Sequence, residues 1–241
     1  MFQSAFYWAG RAVMDLYARL ALDTRVQWQT RLPAGAKIIA ANHPTTLDPF
    51  LLLTVGFDQM SILVTESAFK VPGFGRYLHA AGHVPVVHDK GRAAFDEAVR
   101  LLQAGRTVGI FPEGALSPLD GGLCHGHTGV ARLALTANVP VVPVGIALHR
   151  SRIHFMDTHI DEIVETARWY LRGPYTLTVG EPLYFKGDVD DRNYVRAVTD
   201  RILGDIARLE QQSAARVARD VARLTRPTHA RPITEIGPAG W

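Results

Sequence analysis

The chain has 241 residues, 47% of them apolar, and a mean hydropathy of +0.03. This length suits one large domain with its own core, and the hydropathy argues against a bundle of membrane spans. The formal charge of +3 falls short of the dense Lys/Arg clustering of a nucleic-acid binder, so we expect no nucleic acid as a partner. It does favour an anionic partner such as a phospholipid surface. The single cysteine, Cys124, excludes an intramolecular disulfide.

An amphipathic helix is predicted over residues 2 to 22. Its apolar side chains recur at spacings of three and four, namely Phe2, Phe6, Ala9, Val13, Leu16 and Leu20. Charged residues interrupt the helix, so we expect no secretory signal, and no stretch approaches the roughly 20 apolar residues needed to cross a bilayer. Two interpretations stay open: a helix lying among lipid headgroups, or an ordinary helix covering the core.

An α/β pattern follows between Lys37 and Leu148. The apolar runs are Lys37–Ala41, Ser61–Thr65, Val84–Val87, Thr107–Phe111 and Val139–Ala147. Most of them do not alternate polar with apolar residues, which is typical of strands covered on both faces. Helices are predicted after Asp89, a candidate N-cap, and from near Thr128. The fold class is therefore α/β: a single domain with a mostly parallel central sheet flanked by helices, an N-terminal amphipathic helix and a long C-terminal helix.

The last third of the chain predicts a strand at Tyr175–Val179 and a long helix from Asp191 onward. Late in that helix a stripe of arginines contacts either anionic lipid headgroups or only solvent; its members are Arg216, Arg219, Arg223 and Arg226. Beyond Pro227 the composition is typical of a disordered tail. We divide the chain into an N-terminal helical segment (1–31), the α/β domain (32–210) and a basic helical extension with a flexible tail (211–241).

A polar corner separates the predicted strand 37–41 from the apolar stretch that begins at Phe50. It contains Asn42-His43-Pro44-Thr45-Thr46-Leu47-Asp48. Asp48 is expected in the first turn of the next helix, where the helix dipole favours its charge. His43 is then placed to share a hydrogen bond with Asp48, and a histidine held by a carboxylate keeps one ring nitrogen free to accept a proton. Alone, a His-x4-Asp pattern is equally compatible with an exposed bystander in a turn.

Two further stretches bear on this corner. The strand ending in Phe111-Pro112-Glu113-Gly114 puts Glu113 at the same edge of the sheet if the strands are parallel. In the stretch 139–146, Pro140 and Pro143 remove ladder donors, which predicts an edge or irregular strand beside a groove. Such a groove either accepts an acyl chain or is only structural.

Taken in order, five segments resemble the glycerolipid acyltransferases typified by 1-acylglycerol-3-phosphate acyltransferase. They are Asn42–Asp48, Phe69–Gly75, Gly82–Val86, Phe111–Gly114 and Val139–Ile146. Each is weak alone, but their joint order is specific, and the resemblance covers the chain from about Ala36 to Leu148.

The resemblance implies transfer of a fatty acyl group from acyl-CoA or acyl carrier protein to a hydroxyl of a lysophospholipid, lysophosphatidic acid above all. His43 would be the general base and Asp48 its orienting carboxylate. Glu113 and Gly114, with Phe111 and Pro112, would form the acceptor-binding turn. The partners implied are the acyl donor, the lipid acceptor and a membrane surface, with the protein cytoplasmic and peripheral on the inner face of the cell membrane. We expect no cofactor beyond the acyl-CoA or carrier-protein co-substrate, and the sequence assigns no oligomeric state.

The chain departs from the family pattern at three places, and each place loses one cation. His88 replaces an arginine, Ala115-Leu116 replaces a Thr-Arg pair, and His127 replaces a lysine. Arginine and lysine bind phosphate as permanent charges, whereas a neutral imidazole offers one donor. Lys90, Arg92 or the N-terminus of the helix near Thr128 would have to compensate.

The departures leave two alternatives to acylation of lysophosphatidic acid. One is acylation of a phosphate-free acceptor such as a glycolipid or an amino-acid lipid. The other is a non-catalytic lipid-binding protein, against which the intact His43, Asp48, Glu113 and Gly114 argue. A serine hydrolase is disfavoured because the sequence has no Gly-x-Ser-x-Gly elbow.

The run Cys124-His125-Gly126-His127 raises the question of zinc. Its residues are crowded and lack a partner cluster with structural-site spacing, so we expect no metal. A loop lining the acceptor pocket is the preferred interpretation, with His125 or His127 in place of the absent lysine.

Overall fold

The structure is a computed structural model and describes residues 2–88, 90–160 and 163–224. The predicted N-cap Asp89, the predicted tail after Pro227 and Arg226 lie outside the described residues.

Seven α-helices and nine strands are formed by the described residues. The helices are α1 (Phe2–Leu20), α2 (Asp48–Leu51), α3 (Glu66–Lys70), α4 (Phe74–Ala81), α5 (Gly91–Gln103), α6 (Gly129–Ala137) and α7 (Arg192–Leu224). The strands are β1 (Leu22–Trp28), β2 (Lys37–Ala41), β3 (Met60–Thr65), β4 (Val84–Val86), β5 (Thr107–Ile110), β6 (Val141–Leu148), β7 (Ile153–Ile160), β8 (Ile163–Tyr170) and β9 (Gly173–Val179).

Seven of the strands form one sheet in the order β1-β9-β6-β2-β5-β3-β4. Neighbouring strands are parallel except β6 and β9, which run antiparallel. The remaining two strands, β7 and β8, form an antiparallel hairpin. The predicted α/β domain with a mostly parallel sheet, an N-terminal helix and a long C-terminal helix is confirmed.

Both faces of the sheet are covered by helices, as the continuous apolar runs predicted. In β2, Ile39 packs into the core shared with α1 and α2, whereas Ile38 and Ala40 pack into the core shared with α5, α6 and α7. Helix α7 approaches β6 so closely that a Cβ on Gly145 would lie 2.1 Å from the backbone nitrogen of Glu210. Only glycine leaves the space for this contact.

Strand β6 is not the edge strand predicted from its prolines, because it lies between β9 and β2. Pro143 pairs with Ala40 on one side and lies beside Gly180, just past the end of β9, on the other. Its carbonyl accepts a hydrogen bond from the Gly180 N–H (2.9 Å). The N–H that Pro143 lacks therefore costs only one hydrogen bond, at the end of the ladder between β6 and β9. Every residue of β6 is buried, so this strand does not border an open groove.

Helix α1 presents its predicted apolar stripe to solvent. Val13 is 60% exposed and Leu20 is 79% exposed, and Phe6 and Leu16 are exposed as well. The face that packs on the protein instead carries Tyr7, Arg11 and Ala18. Helix α1 therefore covers the core with the face that carries Tyr7 and Ala18. Its predicted apolar stripe takes no part in that core.

The helical segment assigned to residues 1–31 ends earlier than predicted. Helix α1 stops at Leu20, and residues 22–28 form β1, which pairs in parallel with β9. In β1 only Leu22 is fully buried, so its sequence lacks the apolar run by which the central strands were found.

The predicted arginine stripe on α7 does not form one solvated face. The Arg216 guanidinium is half-buried and donates hydrogen bonds to the hydroxyls of Thr178 and Ser213 (3.2 Å to Ser213), which fastens α7 to β9. Arg219 is exposed, and the side chain of Arg223 lies outside the described residues. Within the described part of the chain, α1 and α7 included, no helix is both long and apolar enough to span a membrane.

Candidate active site

The polar corner begins where β2 ends at Ala41. The Asn42 side chain extends the sheet, because its amide donates to the Ile146 carbonyl (2.9 Å) and its carbonyl accepts from the Ile146 N–H (2.7 Å). Helix α2 then begins at Asp48, followed by Pro49, a residue favoured in the first turn. The chain is thus fixed at both ends of a short loop that carries His43.

The Asp48 carboxylate is fully buried and accepts four hydrogen bonds. The Thr45 N–H donates to Oδ2 (2.6 Å), and the Thr45 hydroxyl donates to Oδ1 (2.6 Å). The Tyr175 hydroxyl also donates to Oδ1 (2.7 Å), and His43 Nδ1 lies 3.0 Å from Oδ2. An ionised carboxylate accepts hydrogen bonds and cannot donate them, so Nδ1 is the donor in this contact. In the neutral form of the ring, Nε2 then carries no proton.

Tyr175 reaches Asp48 because β9 runs antiparallel to β6. Its first residues therefore lie at the edge where β2, β5 and β6 end, and Tyr175 pairs with Leu148 there. Burial, together with the charge of Asp48, holds the pKa of Tyr175 well above its ordinary value. The phenol therefore stays protonated and acts as a donor.

The His43 ring is positioned by Phe111, the residue that follows β5. The two rings stack with centroids 4.2 Å apart and an interplanar angle of 23°. The side chain of His43 remains 18% exposed, whereas that of Asp48 is inaccessible. The structure therefore confirms the predicted hydrogen-bonded pair, with the histidine as its accessible member.

Glu113 lies at the same sheet edge, as the parallel strands predicted, and is buried. Its Oε1 accepts from the His43 N–H (3.2 Å) and the Ser117 hydroxyl (2.5 Å), and its Oε2 accepts from the Cys124 N–H (2.5 Å). Ser117 closes a ring of contacts, because its N–H donates to the His43 carbonyl (2.8 Å). In this arrangement Glu113 holds the backbone of His43, and a direct contact of Glu113 with the acceptor stays a prediction.

The turn after Glu113 requires glycine. Gly114 has a φ of 65°, and a Cβ there would lie 2.9 Å from Cδ2 of His127. The His127 N–H donates to the carbonyl of Pro112 (2.8 Å), and Pro112 is buried in the turn. His127 is exposed and thus lies at the Glu113 turn, beside the start of α6.

The other residues at positions of the missing cations are not all brought to this turn. His88 follows β4, which lies two strands from β5, on the order of 10 Å at ordinary strand spacing. Leu116, which stands at the arginine position, is half-buried and carries no charge. Arg92 is exposed on α5 and forms a surface ion pair with Asp96 one turn along the helix (2.9 Å).

The run with one cysteine and two histidines does not converge on a common point. His125 Nε2 lies 3.2 Å from an Arg196 nitrogen, and His127 packs on Gly114. No three His, Cys, Asp or Glu side chains in the described ranges are arranged to hold a metal ion. Partial burial and the neighbouring Glu113 carboxylate raise the pKa of the Cys124 thiol, which disfavours a thiolate nucleophile.

A comparison with known families matches residues 23–147, just over half of the chain, to the acyltransferase family. This chain is a member of the acyltransferase family. The match contains the His43–Asp48 corner and the Glu113 turn, and it confirms the resemblance predicted from the five sequence segments.

One named relative and one solved structure are similar to this acyltransferase. The 1-acyl-sn-glycerol-3-phosphate acyltransferase of Saccharomyces cerevisiae is 27% identical over 140 residues, which are 53% of this chain and 44% of the yeast protein. The chain thus spans less than half the length of that relative. The crystal structure of the 1-acyl-sn-glycerophosphate (LPA) acyltransferase PlsC from Thermotoga maritima matches with a TM-score of 0.55 and 22% identity, over 84% of this chain and 78% of that one. This second likeness is one of fold.

Sequence reasoning did not find four residues of the acyltransferase site: Thr45, Ser117, Arg168 and Tyr175. Thr45 lies inside the His-x4-Asp segment, where a hydroxyl three residues before a carboxylate at a helix start is a recognisable local signal. Ser117 approaches the corner from the loop after β5 and Tyr175 from β9. Arg168 approaches it from the β7–β8 hairpin, where its N–H donates to the Thr46 hydroxyl (2.9 Å). No local pattern connects these three residues to His43.

Replacing Tyr175 by phenylalanine removes one of the four donors to Asp48 and keeps the ring. We expect the free energy of unfolding to fall by about 1.5–3 kcal/mol, the range for a hydrogen bond to a charged group. We also expect turnover to fall about tenfold, as when about 1.4 kcal/mol of transition-state stabilisation is lost through a less firmly held His43. Urea unfolding and steady-state rates measure the two effects.

Tyr170→Phe is the matched control, because the buried Tyr170 hydroxyl donates to the Pro174 carbonyl (3.0 Å) and does not touch Asp48. This variant should lose stability but keep its turnover. Equal turnover in the wild type and in both variants would contradict the positioning role of Tyr175.

Proposed function

We propose that this protein transfers a fatty acyl group from an acyl thioester, acyl-CoA or acyl carrier protein, to a hydroxyl of a lysophospholipid. The observation that carries the proposal is the His43–Asp48 pair, in which a buried carboxylate fixes the tautomer of a histidine that keeps an accessible side chain. A thioester is already activated, so the acceptor hydroxyl needs deprotonation and alignment more than it needs a covalent enzyme intermediate.

The proposed reaction uses Nε2 of His43 as the base. As the acceptor hydroxyl loses its proton to Nε2, its oxygen attacks the thioester carbonyl and a carbon–oxygen bond forms. The carbon–sulfur bond then breaks, and the proton on Nε2 passes to the departing sulfur. Asp48 stays ionised throughout and stabilises the positive charge that develops on the ring. Phe111 and the Glu113–Ser117 contacts keep the ring and its backbone in place.

Lysophosphatidic acid is the preferred acceptor in this proposal, because the yeast relative is named for acylation of 1-acylglycerol-3-phosphate. A phosphate-free acceptor is the second candidate. It is supported by the absence of a fixed charge at His88, Leu116 and His127. The two candidates differ in the charge of the acceptor and not in the chemistry at His43.

We infer a peripheral association with the inner face of the cell membrane, through the exposed apolar stripe of α1. Phe6, Val13, Leu16 and Leu20 form this stripe. Burying one such side chain in a lipid interface contributes about 1.5–3 kcal/mol. The substrate proposed here is itself a lipid, so a surface that holds the protein at the bilayer shortens the path of the acceptor.

Replacing His43 by alanine should lower kcat/KM by about 10²- to 10⁴-fold, the usual contribution of a positioned general base. Asp48→Asn should lower kcat/KM as well. An asparagine amide can accept a hydrogen bond from Nδ1 or donate one to it, so it no longer selects one tautomer of His43. The measurement is release of free CoA from radiolabelled acyl-CoA, together with recovery of the acylated lipid, against a panel of acceptors.

His154→Ala is the control, since His154 is an exposed histidine on β7. It should retain wild-type kinetics. If His43→Ala keeps acyl transfer within a few-fold of the wild type, the pair is not catalytic, and a wild type that acylates no acceptor would favour a lipid-binding protein.

Association with membranes is tested by flotation with liposomes of anionic or neutral lipids. The wild type should float with anionic liposomes. Val13→Glu combined with Leu16→Glu should reduce the bound fraction at least about tenfold, because two apolar side chains no longer enter the lipid interface. Ala93→Glu combined with Gln103→Glu adds the same charge at exposed positions of α5, on the opposite face of the sheet, and should float normally. A wild type that stays unbound with both lipid compositions would refute the inference.

A further inference from the structure

An arginine from outside the five family segments lies at the active-site corner. Arg168 belongs to β8, and its backbone is fastened to the His43–Asp48 loop by two hydrogen bonds. The Arg168 N–H donates to the Thr46 hydroxyl (2.9 Å), and the Thr46 N–H donates to the Arg168 carbonyl (3.0 Å). The β7–β8 hairpin therefore places this residue in a fixed position relative to the catalytic pair.

The Arg168 guanidinium extends over the loop that follows Glu113. One of its N–H groups donates to the Ser117 carbonyl (2.5 Å), and its positive charge acts on the Cys124 thiol, whose pKa it lowers against the stronger effect of burial. Ser117 in turn contacts both His43 and Glu113. Ser117 thus connects the guanidinium both to the base, His43, and to the predicted acceptor turn at Glu113.

The charge of Arg168 is not neutralised by any carboxylate in the described part of the chain. Other arginines there do have such partners, for example Arg150 with Glu210 (3.0 Å) and Arg201 with Asp205 (2.8 Å). The two carboxylates of the active-site corner already have other partners: both oxygens of the fully buried Asp48 and both oxygens of Glu113 accept hydrogen bonds. Arg168 is half-buried, and within the described residues one of its five N–H donors has an acceptor, the Ser117 carbonyl, which leaves four for a ligand.

A guanidinium with these properties suits a phosphate group. It is permanently charged, its planar fork can bind two oxygens at once, and partial burial reduces the screening of its charge by solvent. The positions at which the family resemblance led us to expect cations carry His88, Leu116 and His127, so a fixed charge is missing there. The hairpin supplies one from a different element.

We propose that Arg168 binds the phosphate of the acceptor lipid and makes this enzyme selective for phosphate-bearing acceptors. The inference rests on the proposed function for the identity of the reaction, and it adds the residue that recognises the acceptor. Phosphate is shared by the acceptor and by the CoA donor, so the experiment must separate the two.

The test compares Arg168→Gln and Arg168→Lys with the wild type, using short-chain lysophosphatidic acid and a monoacylglycerol of the same chain length. Glutamine keeps a donor for the Ser117 carbonyl but has no charge, and lysine keeps the charge but lacks the fork. For Arg168→Gln we expect KM for lysophosphatidic acid to rise about 10- to 100-fold, the range for a lost charged hydrogen bond, with kcat and the KM for monoacylglycerol nearly unchanged. Arg168→Lys should retain most of the preference for phosphate.

Arg172→Gln is the matched control, because Arg172 is an exposed arginine that directly follows the same hairpin. It should change neither KM. A purely structural role of Arg168 would raise KM or lower kcat for both acceptors alike, and a role in donor binding would raise KM for acyl-CoA; either result overturns the proposal.

A binding experiment tests the role of Arg168 independently of whether the protein transfers acyl groups. Binding of the two acceptors is measured by titration calorimetry without a donor, so it needs no turnover. Loss of affinity for lysophosphatidic acid alone in Arg168→Gln supports the proposal even if no acyl transfer is found, in which case only the proposed function fails. Equal affinities of the wild type and Arg168→Gln for lysophosphatidic acid overturn the proposal even if acyl transfer is efficient.

Discussion

The buried carboxylate of Asp48 is the group on which the active-site corner depends. A charged carboxylate without access to water is costly unless its oxygens accept enough hydrogen bonds. Here the donors come from three places: the loop itself through Thr45, the start of β9 through Tyr175, and the ring of His43. The requirement to satisfy Asp48 therefore fixes the loop, the register of β9 and the tautomer of the histidine together.

A second buried carboxylate complements the first. Asp48 orients the ring of His43, whereas Glu113 and Ser117 hold its backbone from the neighbouring strand. Both sets of contacts exist because β2 and β5 are parallel neighbours whose carboxyl ends meet at one edge, with β6 on the other side of β2. The antiparallel β9 and the β7–β8 hairpin then add Tyr175 and Arg168 to that edge. The sheet thus joins residues that are far apart in the chain into one site.

The central strands and the His43–Asp48 pair were predictable from the sequence, because both have local signals: buried apolar runs and a short polar spacing next to one of them. The edge strand β1 was not, since it buries little apolar surface, and Pro143 was misleading because its missing donor falls at the end of a ladder. The outward apolar stripe of α1 was correctly found, but periodicity alone cannot tell which face meets the core. Tyr175, Ser117 and Arg168 depend on strand order and loop packing, which no local pattern encodes.

The central claim is that Asp48 keeps the proton of His43 on Nδ1 and leaves Nε2 as the base. Long-range ¹H–¹⁵N correlation spectra of ¹⁵N-histidine-labelled protein measure the tautomer directly, with His43→Gln used to assign the resonance. The account predicts a neutral ring with its proton on Nδ1 in the wild type, and a loss of this preference in Asp48→Asn. A proton found on Nε2 in the wild type at the pH of the assay would contradict the account, because the ring would then have no free nitrogen facing the acceptor.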